Sequence, residues 1–464
     1  MTTEFGLRTL GVVIVLSLTT LAAVPRGRQS VTTLPAPPNG KVITLPRRPG
    51  NFSEPSVAIN PLNPSQVLTA FQVPATAVSS EDYGENWQFT SGTAPENYKI
   101  SGDVSVSYDI LGHAFLCYIA FDKLGTPEYW AHNATRNGVF VRRSLDGGKT
   151  WEASAAAIDE QSTRPEMPFE DKPYLIADNN PHSPYAGTLY VGWTEFSLTK
   201  SIILFSRSNN GGISWSQPFE ISSHEGLPRD DNGAVEGFTA AAAPNGLLYA
   251  VWADGDSIVF TESRDGGITF VPSRKIIDTA PLYFNVEAVE RANGFPQIAV
   301  DSRNGRIFVT WADYRNGDVD VFCATSTDRG RNWSRPVRVN TDPLHDGADQ
   351  FFQWLAVDPS DGSADVVFYD RRDDPENRRA GVVLARSTNG GQSFANYEWS
   401  ESSFDPDDAF LGDYLGISAM NGRVYGAWTE TAARPRSGTA GRPSTVVKLG
   451  VADFTPPQQH PAAQ

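Results

Sequence analysis

SSEDYGENW (79–87), RSLDGGKTW (143–151), RSNNGGISW (207–215), ESRDGGITF (262–270), TSTDRGRNW (325–333) and RSTNGGQSF (386–394) are six copies of one short pattern. In each, Ser leads to Asp or Asn, then Gly, then Trp or Phe. The acid or amide falls at Asp82, Asp146, Asn210, Asp265, Asp328 and Asn389, at intervals of 64, 64, 55, 63 and 61 residues. A period of that size marks stacked supersecondary units. The Asp or Asn side chain can accept backbone N–H bonds across a hairpin turn. Gly supplies the positive φ such a turn needs, and the aromatic ring fills the seam between neighbouring units.

A second element precedes each turn, an apolar strand behind a polar residue: EPSVAIN from Glu54, DVSVSYD from Asp103, DKPYLIAD from Asp171 and EGFTAAAA from Glu236. FPQIAVD from Phe295, QWLAVD from Gln353 and DYLGISA from Asp413 continue the series. Near-continuous apolar runs of this length read as strands buried on both faces. The following strand often ends in an aromatic and then an acid, at Glu195, Asp254, Asp313, Asp370 and Glu430. Seven first strands predict an all-β propeller of four-stranded blades, seven rather than six, closed by pairing KVITLP (41–46) with VVKLGVADF (446–454).

The rest of the composition agrees. The 464 residues would suggest three domains by length, but large all-β folds stay single. With 40 Gly, 33 Pro and 20% charged residues, the chain suits short strands and tight turns. A net charge of −16 argues against nucleic acid as a partner. Arg8 precedes an apolar run at 10–24, shorter than the about 20 residues of a membrane span, so 1–24 reads as a signal peptide, with an uncleaved anchor as the alternative. An unstructured lead-in at 25–40, one propeller domain at 41–455 and a tail at 456–464 complete the organisation. The mature chain is expected to be extracellular or periplasmic, monomeric and without a membrane span. Cys117 and Cys323 lie in apolar strands of separate repeats and read as buried free thiols rather than a disulfide.

The six turns resemble the Asp-box (BNR) repeats of the sialidase (neuraminidase) superfamily, and the resemblance runs from about Phe52 to Glu430. It implies that the boxes lie on the rim away from the pocket, where Asp82 and its equivalents are structural. Sialidases with this repeat carry Phe-Arg-Ile-Pro in the first blade, its Arg gripping the substrate carboxylate. The matching stretch here is Phe52-Ser53-Glu54-Pro55, with Ser53 in place of the Arg. Tyr414, ahead of a Gly-containing hairpin in the last blade, matches the family's nucleophilic Tyr. The family's third Arg should precede it, but residues 395–414 contain none.

First strands begin and second strands end at one mouth of such a propeller. That gathers Glu54, Asp103, Asp171, Glu236 and Asp413 with Glu195, Asp254, Asp313, Asp370 and Glu430, and places Arg315, Arg371 and Arg372 just behind two of the acids. Carboxylates serve as acid, base or nucleophile in most glycosidases, and Arg grips a carboxylate bidentately. The expected set is Tyr414 as nucleophile, Glu236 as its activating acid, and Asp103 or Glu54 as acid/base. Arg315, Arg371, Arg372, Asp313, Asp370, Glu195, Asp254 and Glu430 would line the substrate site. The plainer reading is that repeated acids cap turns and pair between blades, that Asp313, Arg315 and Asp320 form a salt-bridged loop, and that Tyr414 stacks in the core. Trp130 and His132 could form a sugar-stacking lip.

The histidines make no HExxH-type metal pair, and there is no GxSxG elbow. No cofactor is expected, although acidic loops such as Asp405–Asp408 could hold a structural Ca²⁺. The resulting expectation is a secreted, sialidase-like glycoside hydrolase acting on terminal, acidic sugars of glycans. The alternatives are a non-catalytic propeller binding glycan or protein, and a uronate polysaccharide lyase on the same scaffold.

Overall fold

Each repeat folds as one four-stranded antiparallel sheet in the computed structural model, which describes residues 33–90, 94–123, 135–162, 168–432 and 443–456. Blades 1 to 6 span 53–90, 100–162, 169–220, 235–278, 297–338 and 350–398. Blade 7 takes strands Gly416–Met420, Arg423–Thr431 and Thr445–Asp453 from the C-terminal end and Lys41–Gly50 from the N-terminal end. The register Lys41↔Val451 to Leu45↔Val447 closes the ring as the sequence predicts. No helix among the described residues is long and apolar enough to cross a membrane.

The seams hold the apolar mass. Trp193, Trp252, Trp311 and Trp428, all on second strands, are fully buried. Cys117 and Cys323 are buried free thiols in blades 2 and 5.

The repeated turns share one hydrogen-bond circuit. In the turn at 144–150, the Ser144 hydroxyl accepts the Gly148 N–H at 2.8 Å and donates to Asp146 Oδ1 at 2.8 Å. Asp146 Oδ1 in turn accepts the Thr150 N–H at 2.9 Å. The same Ser-to-Gly bond recurs at Gly84, Gly212, Gly267, Gly330 and Gly391. Tyr83 and Arg329 adopt the left-handed backbone (φ 59° and 65°) in the two copies that lack a first Gly.

The lead-in departs from expectation at its end. Leu34 packs on the core shared by blades 5, 6 and 7, and the Pro35 and Pro38 carbonyls accept the N–H groups of Glu398 and Asp453 at 3.0 and 2.9 Å. The strand edge there offers free donors that a proline-rich segment, rich in acceptors and poor in donors, can satisfy. Residues 1–32 and 457–464, and with them the proposed signal peptide, lie outside the described residues, as do Trp130 and His132.

Ser144→Ala strips a buried N–H of its acceptor and should cost about 1–3 kcal/mol. Trp428→Ala, opening a seam cavity, should cost about 3–5 kcal/mol. Denaturant midpoints at unchanged slope measure both, and equal costs would contradict this division of roles.

Candidate functional site

First and third strands of a blade run the same way, and the repeated turns follow the third. First strands therefore begin at the opposite end of the axis, and their beginnings are irregular. Register shifts at 53–56, 102–105, 171–174, 236–239 and 351–354 mark a bulge in blades 1, 2, 3, 4 and 6. At the bulge sit Glu54 (φ 53°), Asp103 (φ 49°), Lys172 (φ 47°), Gly237 (φ 76°) and Phe352 (φ 53°), and Gly412 (φ 102°) holds the matching place ahead of blade 7. A left-handed conformation costs a non-glycine residue about 1–2 kcal/mol. The strain re-aims side chains, as bulges beside functional sites do.

Two consequences follow from that common geometry. Two residues beyond each bulge, Ser56, Ser105, Tyr174, Thr239, Trp354 and Tyr414 point into the axis and, with Gln297 of blade 5, line one small cavity. Tyr414 packs against Trp354 with ring centroids 5.4 Å apart, and Trp354 meets Tyr174 at 6.0 Å. The Tyr414 hydroxyl donates to the Val104 carbonyl at 3.2 Å. The cavity measures about 30 Å³, room for water but not for a sugar.

Above this plug the bulges deliver charge. Lys172 Nζ lies 2.7 Å from Glu236 Oε1, 2.8 Å from Asp171 Oδ2, 3.1 Å from Asp413 Oδ2 and 3.3 Å from Asp230 Oδ1. The guanidinium of Arg291 bonds Asp230 and Asp413. The Tyr283 hydroxyl sits between Asp230 and Glu236 Oε2, the latter at 2.9 Å. Asp103 Oδ2 accepts the Lys172 N–H at 3.1 Å and stands within hydrogen-bond reach of Asp171 and Glu54. Glu54 Oε1 accepts the Asp413 N–H at 3.1 Å.

Six carboxyls thus face two cations, and their protonation divides accordingly. Burial pushes Glu54 up to about 8, Asp413 adding to it. Burial also pushes Asp103 up to about 7, Glu54 adding to it. Asp171 and Glu236 are raised well above the carboxylate range by burial and neighbouring acids. Asp230 is held below it, because Lys172 and Arg291 outweigh its burial. Burial and the adjoining acids raise the Tyr283 and Tyr414 phenols well above their usual value. The Asp230 and Arg291 side chains are 22% and 24% exposed and Glu236 is 0%, so solvent reaches this network from the Asp230 side.

Four of these residues escape the sequence reading. Lys172 stands in the same bulge position as Glu54 and Asp103, and that register was the available signal. Asp230, Tyr283 and Arg291 come from inter-blade connections that carry no repeat. The placement of Tyr283 and Arg291 depends on Asp408 N–H donating to the Ala288 carbonyl at 2.8 Å and on a bridge between Val289 and Ala409, which dock two such connections together.

Of the residues expected at the mouth, the structure brings Glu54, Asp103, Asp171, Glu236 and Asp413 into the network and leaves Tyr414 in the plug beneath. The remaining eight are engaged elsewhere. Asp313 and Glu430 accept the indole N–H of the Trp two residues before them, at 2.9 and 2.7 Å. Arg315 pairs with Asp313, and Arg372 with Asp370. Asp254 meets His224 at 3.0 Å, and Glu195 joins Asp159 and Glu170 between blades 2 and 3. Arg371, wholly buried, donates to the carbonyls of Asn377 and Glu287 at 2.6 Å each. Its contact with Glu287 ties down the connection that carries Tyr283 and Arg291.

No protein-family model and no curated protein matches the sequence. Solved structures do share the fold. The phage phi92 endosialidase superposes with a TM-score of 0.52 at 10% identity, over 92% of this chain and 70% of that one. A protein of unknown function from Dyadobacter fermentans DSM 18053 gives 0.48 at 13% identity, over 89% and 99%. A PL25 ulvan lyase gives 0.49 at 10% identity, over 88% and 95%. The likeness is one of propeller architecture.

The raised carboxyls fix a sign for pH dependence. Folded Glu54 and Asp103 keep protons that the unfolded chain releases near pH 4. The stability they contribute is full below that pH and is lost as pH rises through about 7 and 8. The melting temperature should fall between about pH 5 and 8.5, and fall less in Glu54→Gln/Asp103→Asn. Equal slopes in both proteins would refute the assignment.

Proposed function

We propose that this protein is a secreted glycoside hydrolase on a sialidase-like propeller, working at the axial mouth on an uncharged, hydroxyl-rich end of a glycan. The carrying observation is the Tyr283 hydroxyl held between Asp230 and Glu236, on the solvent-reached side of the network. Adjacent carboxyls driven apart in proton affinity are the mark of an acid/base pair. Asp230, ionised and partly exposed, is the group able to attack the anomeric carbon. Glu236, buried and protonated, passes a proton through Tyr283 to the departing glycosidic oxygen. Arg291 keeps Asp230 ionised and aimed.

This assignment gives Asp230 the role the sequence suggested for Tyr414. The phenol of Tyr414 is stacked and bonded to a backbone carbonyl, with water-sized space beside it. The choice of an uncharged sugar has its own support. Both cations of the network are already paired with carboxylates, and Ser53 offers no substitute guanidinium, so the network leaves no uncommitted cation to grip an acidic sugar. The fold shared with the phi92 endosialidase is compatible with this reading and does not choose the sugar.

A second reading, a glycan-binding propeller without chemistry, is favoured by the plugged axis, where the cavity beside Tyr414 holds about 30 Å³. Sugar release from a panel of neutral, sialylated and uronate-containing glycans separates the two. Turnover on a neutral glycan should fall at least about 100-fold in Asp230→Asn and Tyr283→Phe. Tyr414→Phe, losing one hydrogen bond worth about 1 kcal/mol, should keep its rate within a few-fold. Binding without turnover would establish the second reading, and product mass would expose a lyase.

A further inference from the structure

The network contains a cation that belongs to the chain itself. Lys172 Nζ is surrounded by Asp171, Asp230, Glu236 and Asp413 at 2.7 to 3.3 Å, drawn from blades 3, 4 and 7 and one inter-blade connection. Oxygen atoms of Asp171, Asp230 and Glu236 lie within 4.8 Å of one another, the spacing of a metal cage. The Lys172 side chain is 6% exposed, and its left-handed φ of 47° turns it from the strand face toward the axis. Such a backbone conformation is unfavourable for lysine and persists only where the surroundings over-determine it.

We propose that Lys172 is a tethered cation: its ammonium occupies and closes a four-carboxylate cage that would otherwise hold a divalent ion. It thereby acts as the positioning residue for the Asp230–Tyr283–Glu236 group. The proposal rests on the proposed function only for the word positioning, because the cage exists whatever the mouth does.

The chemistry of the cage explains the choice. Four carboxyls at this separation cannot all ionise without a counter-charge. A hard divalent cation takes carboxylate oxygens at about 2.3–2.6 Å for Ca²⁺, whereas an ammonium sits at hydrogen-bond distance and carries one charge. One charge leaves some of the acids protonated, which an acid/base site requires. A divalent ion would strip those protons.

Thermal unfolding and calorimetry of the full chain test this without any turnover assay, so a silent glycan panel leaves the outcome readable. Wild type should show no melting shift with millimolar CaCl₂ or MnCl₂, and none with EDTA. Lys172→Ala should melt about 5 °C lower or more. It should recover on adding CaCl₂ or MnCl₂ with one ion bound per chain, or on adding n-propylammonium, whose three carbons and nitrogen match the side-chain atoms removed. Lys172→Met, which fills that space without charge, should be destabilised and not rescued by n-propylammonium. Should Lys172→Ala fail to fold from metal-free buffer, its refolding yield should rise with CaCl₂. Lys172→Ala/Glu236→Gln, with one acid fewer, should refold better than the single variant.

Absence of rescue by every cation, or Lys172→Met as stable as wild type, would overturn the proposal. So would a divalent ion that binds wild type and is lost in Glu236→Gln.

Discussion

The ammonium of Lys172 among four carboxyls is the contact on which the mouth depends. Desolvating a charge in a protein interior costs several kcal/mol per ion, and removing one partner of a buried pair typically costs about 3–5 kcal/mol. Such a group is tolerated only if its counter-charges arrive from every side. Here they arrive because blades 3, 4 and 7 each start their first strand at the axis, and because Asp230 folds over from the connection between blades 3 and 4. The ring is closed by backbone pairing in blade 7, and it is keyed at its mouth by electrostatics.

A shared strand irregularity turns a repetitive scaffold into a specific site. In blades 1 to 3 the left-handed residue of the bulge sends its side chain up to the mouth, and the residue two further on points down into the axis. In blades 1 to 3 the upward residues are Glu54, Asp103 and Lys172, while the downward ones shrink to serine in blades 1 and 2 and swell to tyrosine or tryptophan in blades 3, 6 and 7. The plug of Tyr174, Trp354 and Tyr414 gives the charged network a low-dielectric floor. That floor strengthens every interaction above it. It also raises the proton affinity of the acids that touch no cation.

The architecture was legible because its signals are local. Gly at positive φ, Ser and Asp bonding within one turn, and Trp two residues before an acid are each contained in a few consecutive residues. Blade count and ring closure followed from repetition alone. The site was legible only where it obeyed the same repeat, as at Glu54, Asp103 and Glu236. Asp230, Tyr283 and Arg291 are delivered by connections whose course is set by tertiary docking, such as the Arg371 contact with Glu287 and the pairing of Val289 with Ala409. No periodicity announces them. Tyr414, whose position ahead of a hairpin resembles a nucleophile's, is placed by the same register that puts Ser56 and Thr239 in the channel, and its ring stacks on Trp354.

The most direct test is a crystal structure of the wild-type protein soaked with a neutral oligosaccharide. The account predicts a sugar ring over the axial mouth, within hydrogen-bond distance of Asp230 and Tyr283, with the aromatic plug unmoved beneath it. A ring bound in the axis after displacement of Tyr414, or bound at a seam remote from Asp230, would contradict it.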